Sequence, residues 1–216
     1  YGDLMYTLVE EASKVLRFPT KPFDFEQEGA IDKAKELEKK LSETMEKYGG
    51  IGLSANQCGV DAKVFVMRTA DKGTVAFFNA EINQVSQETE LMKEGCLSFP
   101  DLYLMIKRPK VVGFNYYNSD GEEKFIQLEG LGARCVQHEL DHLNGIVFLQ
   151  RASRLKLERA LKARPKERKK RLEYEKRRAI AEAIQRVQSD TDSKSDIDGE
   201  VSESNTLPQE SSTSTG

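Results

Sequence analysis

The chain has only two histidines, and they stand four residues apart, at His138 and His142, inside the segment Gln137-His138-Glu139-Leu140-Asp141-His142. Residues 131–143 contain no Pro and no Gly after Gly132, and Asn144-Gly145 follows as a stop signal, so the spacing predicts a helix bearing both imidazoles. Residues four apart on an α-helix stand one turn above each other, which lets both rings converge on a single cation without backbone distortion. Glu139 lies about 100° further around the axis than His138, within reach of a water at such a cation rather than of the cation itself. A pair of surface histidines on a polar helix is the bland alternative. Two imidazoles also leave a catalytic centre one ligand short, because such centres commonly take three protein ligands and keep one position open.

The rest of the body alternates element types. Ala34, Leu37, Leu41, Met45 and Tyr48 recur at spacings of three and four, which predicts an amphipathic helix over residues 28–48, ended by Gly49-Gly50. Residues 63–67 and 75–78 read as two strands joined at Asp71-Lys72-Gly73, and residues 111–117 and 124–128 as a second hairpin turning at Asn118-Ser119-Asp120-Gly121. Strands followed by a late helix imply an α+β domain in which antiparallel sheet surrounds the histidine-bearing helix.

Charge divides the chain into three blocks. Residues 1–150 hold 17 Lys+Arg against 24 Asp+Glu, residues 151–188 hold 15 against 5, and residues 189–216 hold 1 against 7. The expected organisation is therefore an acidic body (1–150), a basic helical arm (151–188) split by Pro165 into about ten and about twenty residues, and a disordered acidic tail (189–216). The tail has only Ile197, Val201 and Leu207 as sizeable apolar side chains, too few to offset chain entropy. Ile180, Ile184 and Val187 make a narrow apolar stripe on the otherwise charged arm. No run approaches the roughly 18 apolar residues of a membrane span, so the expectation is a protein of the cytoplasm, with an organelle interior or an infected bacterial host left open.

Three cysteines are too few and too odd in number for a disulfide framework, which leaves reduced thiols, metal ligands or buried fillers. Glu94-Gly95-Cys96-Leu97-Ser98 places one of them behind a Gly, in a segment able to bend toward the late helix, and thiolate with two imidazoles is a known catalytic ligand set. Gly50-Ile51-Gly52-Leu53-Ser54-Ala55-Asn56-Gln57, the Cys96 segment and the His138 segment, in this order and at comparable spacing, resemble the three signature motifs of the peptide deformylase family. The resemblance covers about residues 5–150. It departs from the family's commonest form at Ser54, where Ala is usual, a small-for-small change.

The resemblance implies an enzyme that hydrolyses the formyl group from N-formylmethionine at the start of nascent chains, releasing formate. It implies Cys96, His138 and His142 as metal ligands, with Fe2+ the usual ion and Zn2+ or Ni2+ as substitutes. Glu139 matches the acid/base, Gln57 the side-chain donor to the developing oxyanion, and Leu97 the residue whose backbone N–H is a second donor. Gly52 matches the position that pairs with substrate backbone, and Ile51, Leu131 and Cys135 the pocket for a methionine side chain. Glu94 and Arg134 are expected to form an ion pair that orients the site, while Asp141 and Asn144 are expected as caps or solvent-facing groups. Cys58 and Cys135 read as buried structural thiols. The expected partners are the formylated nascent peptide and the ribosome, whose RNA phosphates suit the basic arm, with the protein itself a monomer. A solvated arm neutralised by the acidic tail, a metal-dependent endopeptidase, and a non-catalytic ribosome-binding protein are the rival readings.

Overall fold

A computed structural model describes residues 5–71 and 73–199. The chain divides into two units, Tyr1–Glu167 and Arg168–Gly216.

In the first unit, α1 (Ala30–Lys47) turns Ala34, Leu37, Leu41 and Met45 inward, as its three-and-four spacing requires. Five antiparallel strands form one sheet in the order β1 (Gly52–Ser54), β2 (Val64–Arg68), β3 (Thr74–Val85), β6 (Val111–Tyr117) and β7 (Glu123–Glu129). Both hairpins expected from the sequence are present, β2 with β3 and β6 with β7. A second, two-stranded sheet consists of β4 (Thr89–Cys96) and β5 (Phe99–Pro109). The architecture is α+β with antiparallel sheets, as read from the sequence.

Three clusters of buried side chains stabilise this unit. One lies under α1 and includes Leu53, Val64, Val66 and Phe78. A second joins the sheet to α2 (Gly130–Leu143) through Phe65, Phe77, Phe114, Val136 and Leu140. The third joins β5 to the short 3₁₀ turn Phe148–Arg151 through Phe99, Leu102, Leu104, Ile106 and Phe148, with Leu157 and Ala160 packed against it. Helix α2 is thereby enclosed, and every residue from Ala133 to Leu143 is buried.

Helix α3 spans Arg154–Gly199 and corrects two expectations. It runs through Pro165 without dividing. Proline deletes one backbone hydrogen bond, but Pro165 is exposed, so water can take the freed carbonyl, and Ala, Lys, Arg and Glu on both sides favour helix. The backbone also stays helical to Gly199, within the segment expected to be disordered; the remainder of that tail, 200–216, lies outside the described residues. The boundary expected at 150/151 falls instead at 167/168, because Leu157, Ala160 and Arg164 pack on the body. From Arg168 to Arg186 every side chain is exposed. Among the described residues, no helix is long and apolar enough to cross a membrane.

Candidate metal centre

Strand β4 ends at Cys96 with a register shift between Gly95 and Cys96, an irregularity that re-aims the side chain at the strand end. The Cys96 thiol is thereby turned to α2, where its Sγ lies 3.1 Å from His142 Nε2. One ligand atom each from Cys96, His138 and His142 falls within 4.8 Å of the other two. Bonds of about 2.0–2.3 Å to one tetrahedral ion need a grouping of this size, so the donors fit a single divalent metal.

The charges around the donors favour a cation. Burial lowers the basicity of His138, yet its hydrogen bonds with Cys96 and Glu94 outweigh that, and the imidazole is pushed up to about 10. His142 moves the other way, held well below its ordinary value by burial and by the positive charge of His138. The surroundings of the cluster thus stabilise one positive charge, carried by a proton on His138 or by a metal ion between the same atoms.

Glu139, the residue after His138 on α2, is buried. Burial raises its carboxyl above the ordinary range, against the opposing charge of His138 and a hydrogen bond from Ser54. That bond is short: Ser54 Oγ donates to Glu139 Oε2 at 2.6 Å and lies 3.0 Å from the Glu139 carbonyl. The other carboxylate oxygen sits against β1, where a Cβ built on Gly52 would lie 2.6 Å from both Glu139 Oε1 and Cys135 Sγ. A side chain at residue 52 would therefore displace the Glu139 carboxylate or the Cys135 thiol.

Gln57 belongs to the 3₁₀ turn Ala55–Cys58 that follows β1. Its Oε1 accepts from the Ser54 backbone at 2.9 Å, which fixes the amide orientation and aims Nε2 at Ser98 Oγ (3.0 Å) and Cys96 Sγ (3.6 Å). Leu97 lies in the link between β4 and β5, half-buried, with its side chain toward Gly50.

Behind the donors is a buried ion-pair network. Arg108 donates through Nε and Nη2 to both oxygens of Glu94 (2.6 and 3.0 Å) and through Nη1 to Asp141 Oδ2 at 2.8 Å. Arg134 also donates to Glu94, and the second Glu94 oxygen lies 3.2 Å from His138 Nδ1. Burial alone would raise the Glu94 carboxyl, but bonds from His138 and Arg108 bring it down to about 2. An anchored imidazole N–H fixes which ring nitrogen faces the metal.

Residues 5–158 match the family model described as polypeptide deformylase. The chain belongs to the peptide deformylase family. It is 41% identical over 152 residues to the peptide deformylase of Thermotoga sp. strain RQ2, a match covering 69% of this chain and 88% of that one. The crystal structure of the Thermotoga maritima peptide deformylase superposes with a TM-score of 0.64 at 40% identity, covering 70% of this chain and 99% of that one. A peptide deformylase from Synechococcus elongatus, in complex with actinonin, superposes with a TM-score of 0.67 at 33% identity, covering 74% and 86%.

Within this deformylase the ten residues singled out from the sequence do not all come together. Cys96, His138, His142, Glu139, Gln57, Gly52 and Cys135 form one cluster, with Leu97 in the adjoining link. Ile51 and Leu131 are 48% and 56% exposed, unlike the buried members of that cluster. The expected Glu94–Arg134 pair is present. Asp141 is neither a cap nor solvent-facing: it is buried between Arg108 and Arg151. Cys58 is only half-buried, although burial pushes its thiol up to about 12.

Sequence reasoning missed Arg108 and the hydrogen bond from Ser54 to Glu139. Arg108 carried a readable signal, because it continues the inward period-two row Leu102, Leu104, Ile106 of β5. Ser54 was visible as the departure from the usual Ala.

Proposed function

We infer that this chain is a hydrolase that removes the formyl group from N-formylmethionine of nascent polypeptides, with water as co-substrate and formate and a free amine as products. The convergence of Cys96, His138 and His142 beside a buried, clamped Glu139, in a chain of this family, is the observation that carries the reading.

We assign the three donors as ligands of one divalent ion, Fe2+ in the cell and Zn2+ or Ni2+ as substitutes, a set compatible with thiolate plus imidazole. When bound, the ion supplies Lewis acidity, lowering the pKa of water toward neutrality and drawing charge from the formyl oxygen. Glu139 takes the proton of the attacking water and later returns it to the departing nitrogen, a task that its raised pKa suits. As the carbonyl oxygen gains charge, Gln57 Nε2 and the Leu97 backbone N–H donate to it. Strand β1 is the first of its sheet and pairs only with β2 among the described strands, so its free side can take an extended peptide along Gly52 by strand addition. Cys135, with Ile51 and Leu131 at the rim, receives the methionine side chain.

The exposed Lys and Arg residues of 151–188 support docking to ribosomal RNA, through salt-sensitive phosphate contacts, by a monomer working in the cytoplasm. Formate release from formyl-Met-Ala-Ser by anaerobically purified protein tests the central reading. Wild type should release formate and Glu139→Ala should not; a wild type that binds metal yet releases none overturns it.

A further inference from the structure

Arg151 ends the 3₁₀ turn Phe148–Arg151, three residues before α3 begins. Its guanidinium grips the Asp141 carboxylate with two donors, Nε at 3.0 Å from Oδ2 and Nη2 on Oδ1. Asp141 lies on α2 between the two histidines. Its Oδ2 also accepts from Arg108 at 2.8 Å, Arg108 holds both oxygens of Glu94, and Glu94 meets His138 Nδ1. The same short turn reaches that imidazole directly, with the Phe148 ring centroid 5.7 Å from that of His138.

We propose that Arg151 is a positioning residue for the metal centre, acting through Asp141, Arg108 and Glu94 on the His138 ring. The inference rests on the reading of Cys96, His138 and His142 as metal ligands. Four of the five members are nearly inaccessible, whereas the Arg151 side chain is 44% exposed, so it closes the outer end of the chain. Asp141, Arg108 and Arg151 also line a cleft of about 380 Å³, together with Lys63 and Lys107. Without Arg151, water in that cleft competes for Asp141. Arg108 then has no fixed second carboxylate, and its two-pronged hold on Glu94 is free to tilt. The root of the basic arm is in this way part of the catalytic body, and a truncation at Gln150 would remove a support of the site as well as the arm.

The test uses the full chain carrying Arg151→Gln, Arg151→Lys or Arg164→Gln. Arg164 provides the comparison because it anchors α3 to Glu11 and to the Pro100 carbonyl without joining the ion-pair chain. Zinc affinity is measured by chelator competition and ligand geometry by the visible absorption of the Co2+-substituted protein. Outer partners of ligating histidines are typically worth about 10- to 100-fold in metal affinity. Arg151→Gln should weaken zinc binding about 10-fold and change the cobalt spectrum, Arg151→Lys should fall between it and wild type, and Arg164→Gln should match wild type. Wild-type affinity and spectrum in Arg151→Gln overturn the proposal, and so does an equal loss in Arg164→Gln. If Arg151→Gln does not fold, Arg151→Lys decides by the same two readings. A wild type that holds no zinc would fail the ligand assignment itself, a separate result.

Discussion

Helices α2 and α3 are built from opposite physics. In α2, Gly130, Gly132, Cys135, Asp141 and two histidines are mediocre helix formers, yet its last eleven residues are buried, with side chains packed on the main sheet and with Arg134 and Gln137 donating to the Ile106 and Pro109 carbonyls of β5. Asn56 Nδ2 donates to the His142 carbonyl at 2.6 Å and fixes the final turn. In α3, residues 168–186 are mostly strong helix formers, exposed, and joined by pairs such as Arg171–Glu175 and Arg178–Glu182 at i,i+4. One helix is dictated by its surroundings and the other by its own composition. Changes in α2 and its partners should therefore be costly and specific, and changes in residues 168–186 of α3 nearly silent for the fold.

The largest effect should come from a ligand. Cys96→Ala removes the only thiolate of the donor set, and zinc retention and formate release should both fall by more than about a thousandfold. Activity near wild type in that variant would mean that two imidazoles suffice. Next is Gln57→Ala. One oxyanion donor is typically worth about 2.7–4 kcal/mol of barrier, so kcat should drop on the order of a hundredfold with metal content preserved. An unchanged kcat removes Gln57 from the mechanism.

The ion-pair network predicts an acid dependence. Because the Glu94 carboxyl sits at about 2, below its ordinary 4.5, it contributes stability that is complete above about pH 4.5 and disappears as pH falls toward 2. The shift corresponds to on the order of 3 kcal/mol. Denaturant titrations of the metal-free protein across that window should show a shallower loss in Glu94→Gln than in wild type, from a lower starting stability because Arg108 and Arg134 are left without their shared anion. Equal slopes would place the acid sensitivity elsewhere.

What could be read in advance follows the same division. Helix α1, both hairpins of the main sheet and α2 have clean periodicities, and each forms where its pattern places it. Hairpin β4–β5 did not announce itself. Its exposed face carries Leu91, Tyr103 and Met105, while its buried face carries Glu94 and Arg108, so apolar and charged residues stand on the wrong sides for a simple alternation. The candidates His138, His142 and Glu139 could be proposed from motif spacing, since it reflects helix geometry, whereas Cys96 joined them only through the family resemblance. Of their supports, the Glu94–Arg134 pair was expected, but the other pairings were not: Arg108 and Glu94 meet across β4–β5, Arg151 reaches Asp141 from the next turn, and such pairings depend on packing.

A smaller effect belongs to Ser54, whose hydroxyl fixes one Glu139 oxygen. Ser54→Ala deletes that bond and little volume. It should lower kcat about fivefold and leave KM and zinc affinity unchanged, since a positioned proton acceptor loses orientation but not identity. A change in KM alone would instead assign Ser54 to substrate binding.

The smallest effect on the fold is expected in α3. Arg178 is exposed and pairs with Glu182 at 2.7 Å, one turn further along the helix. Exposed pairs contribute little to stability and are screened by salt, so Arg178→Gln combined with Lys169→Gln should move Tm by no more than about 1 °C. The same charges bear on docking, because removing one cation that neutralises a phosphate reduces the slope of log affinity against log salt by about one. Ribosome co-sedimentation of the double variant across a salt series should therefore show a slope smaller by up to about two, with formate release from the small peptide unchanged. An identical slope would leave these cations as solvated helix formers and take this part of the arm out of the docking surface. A large fall in Tm would break the comparison from the other side, since it would require residues 168–186 to carry stability that their exposed side chains do not supply.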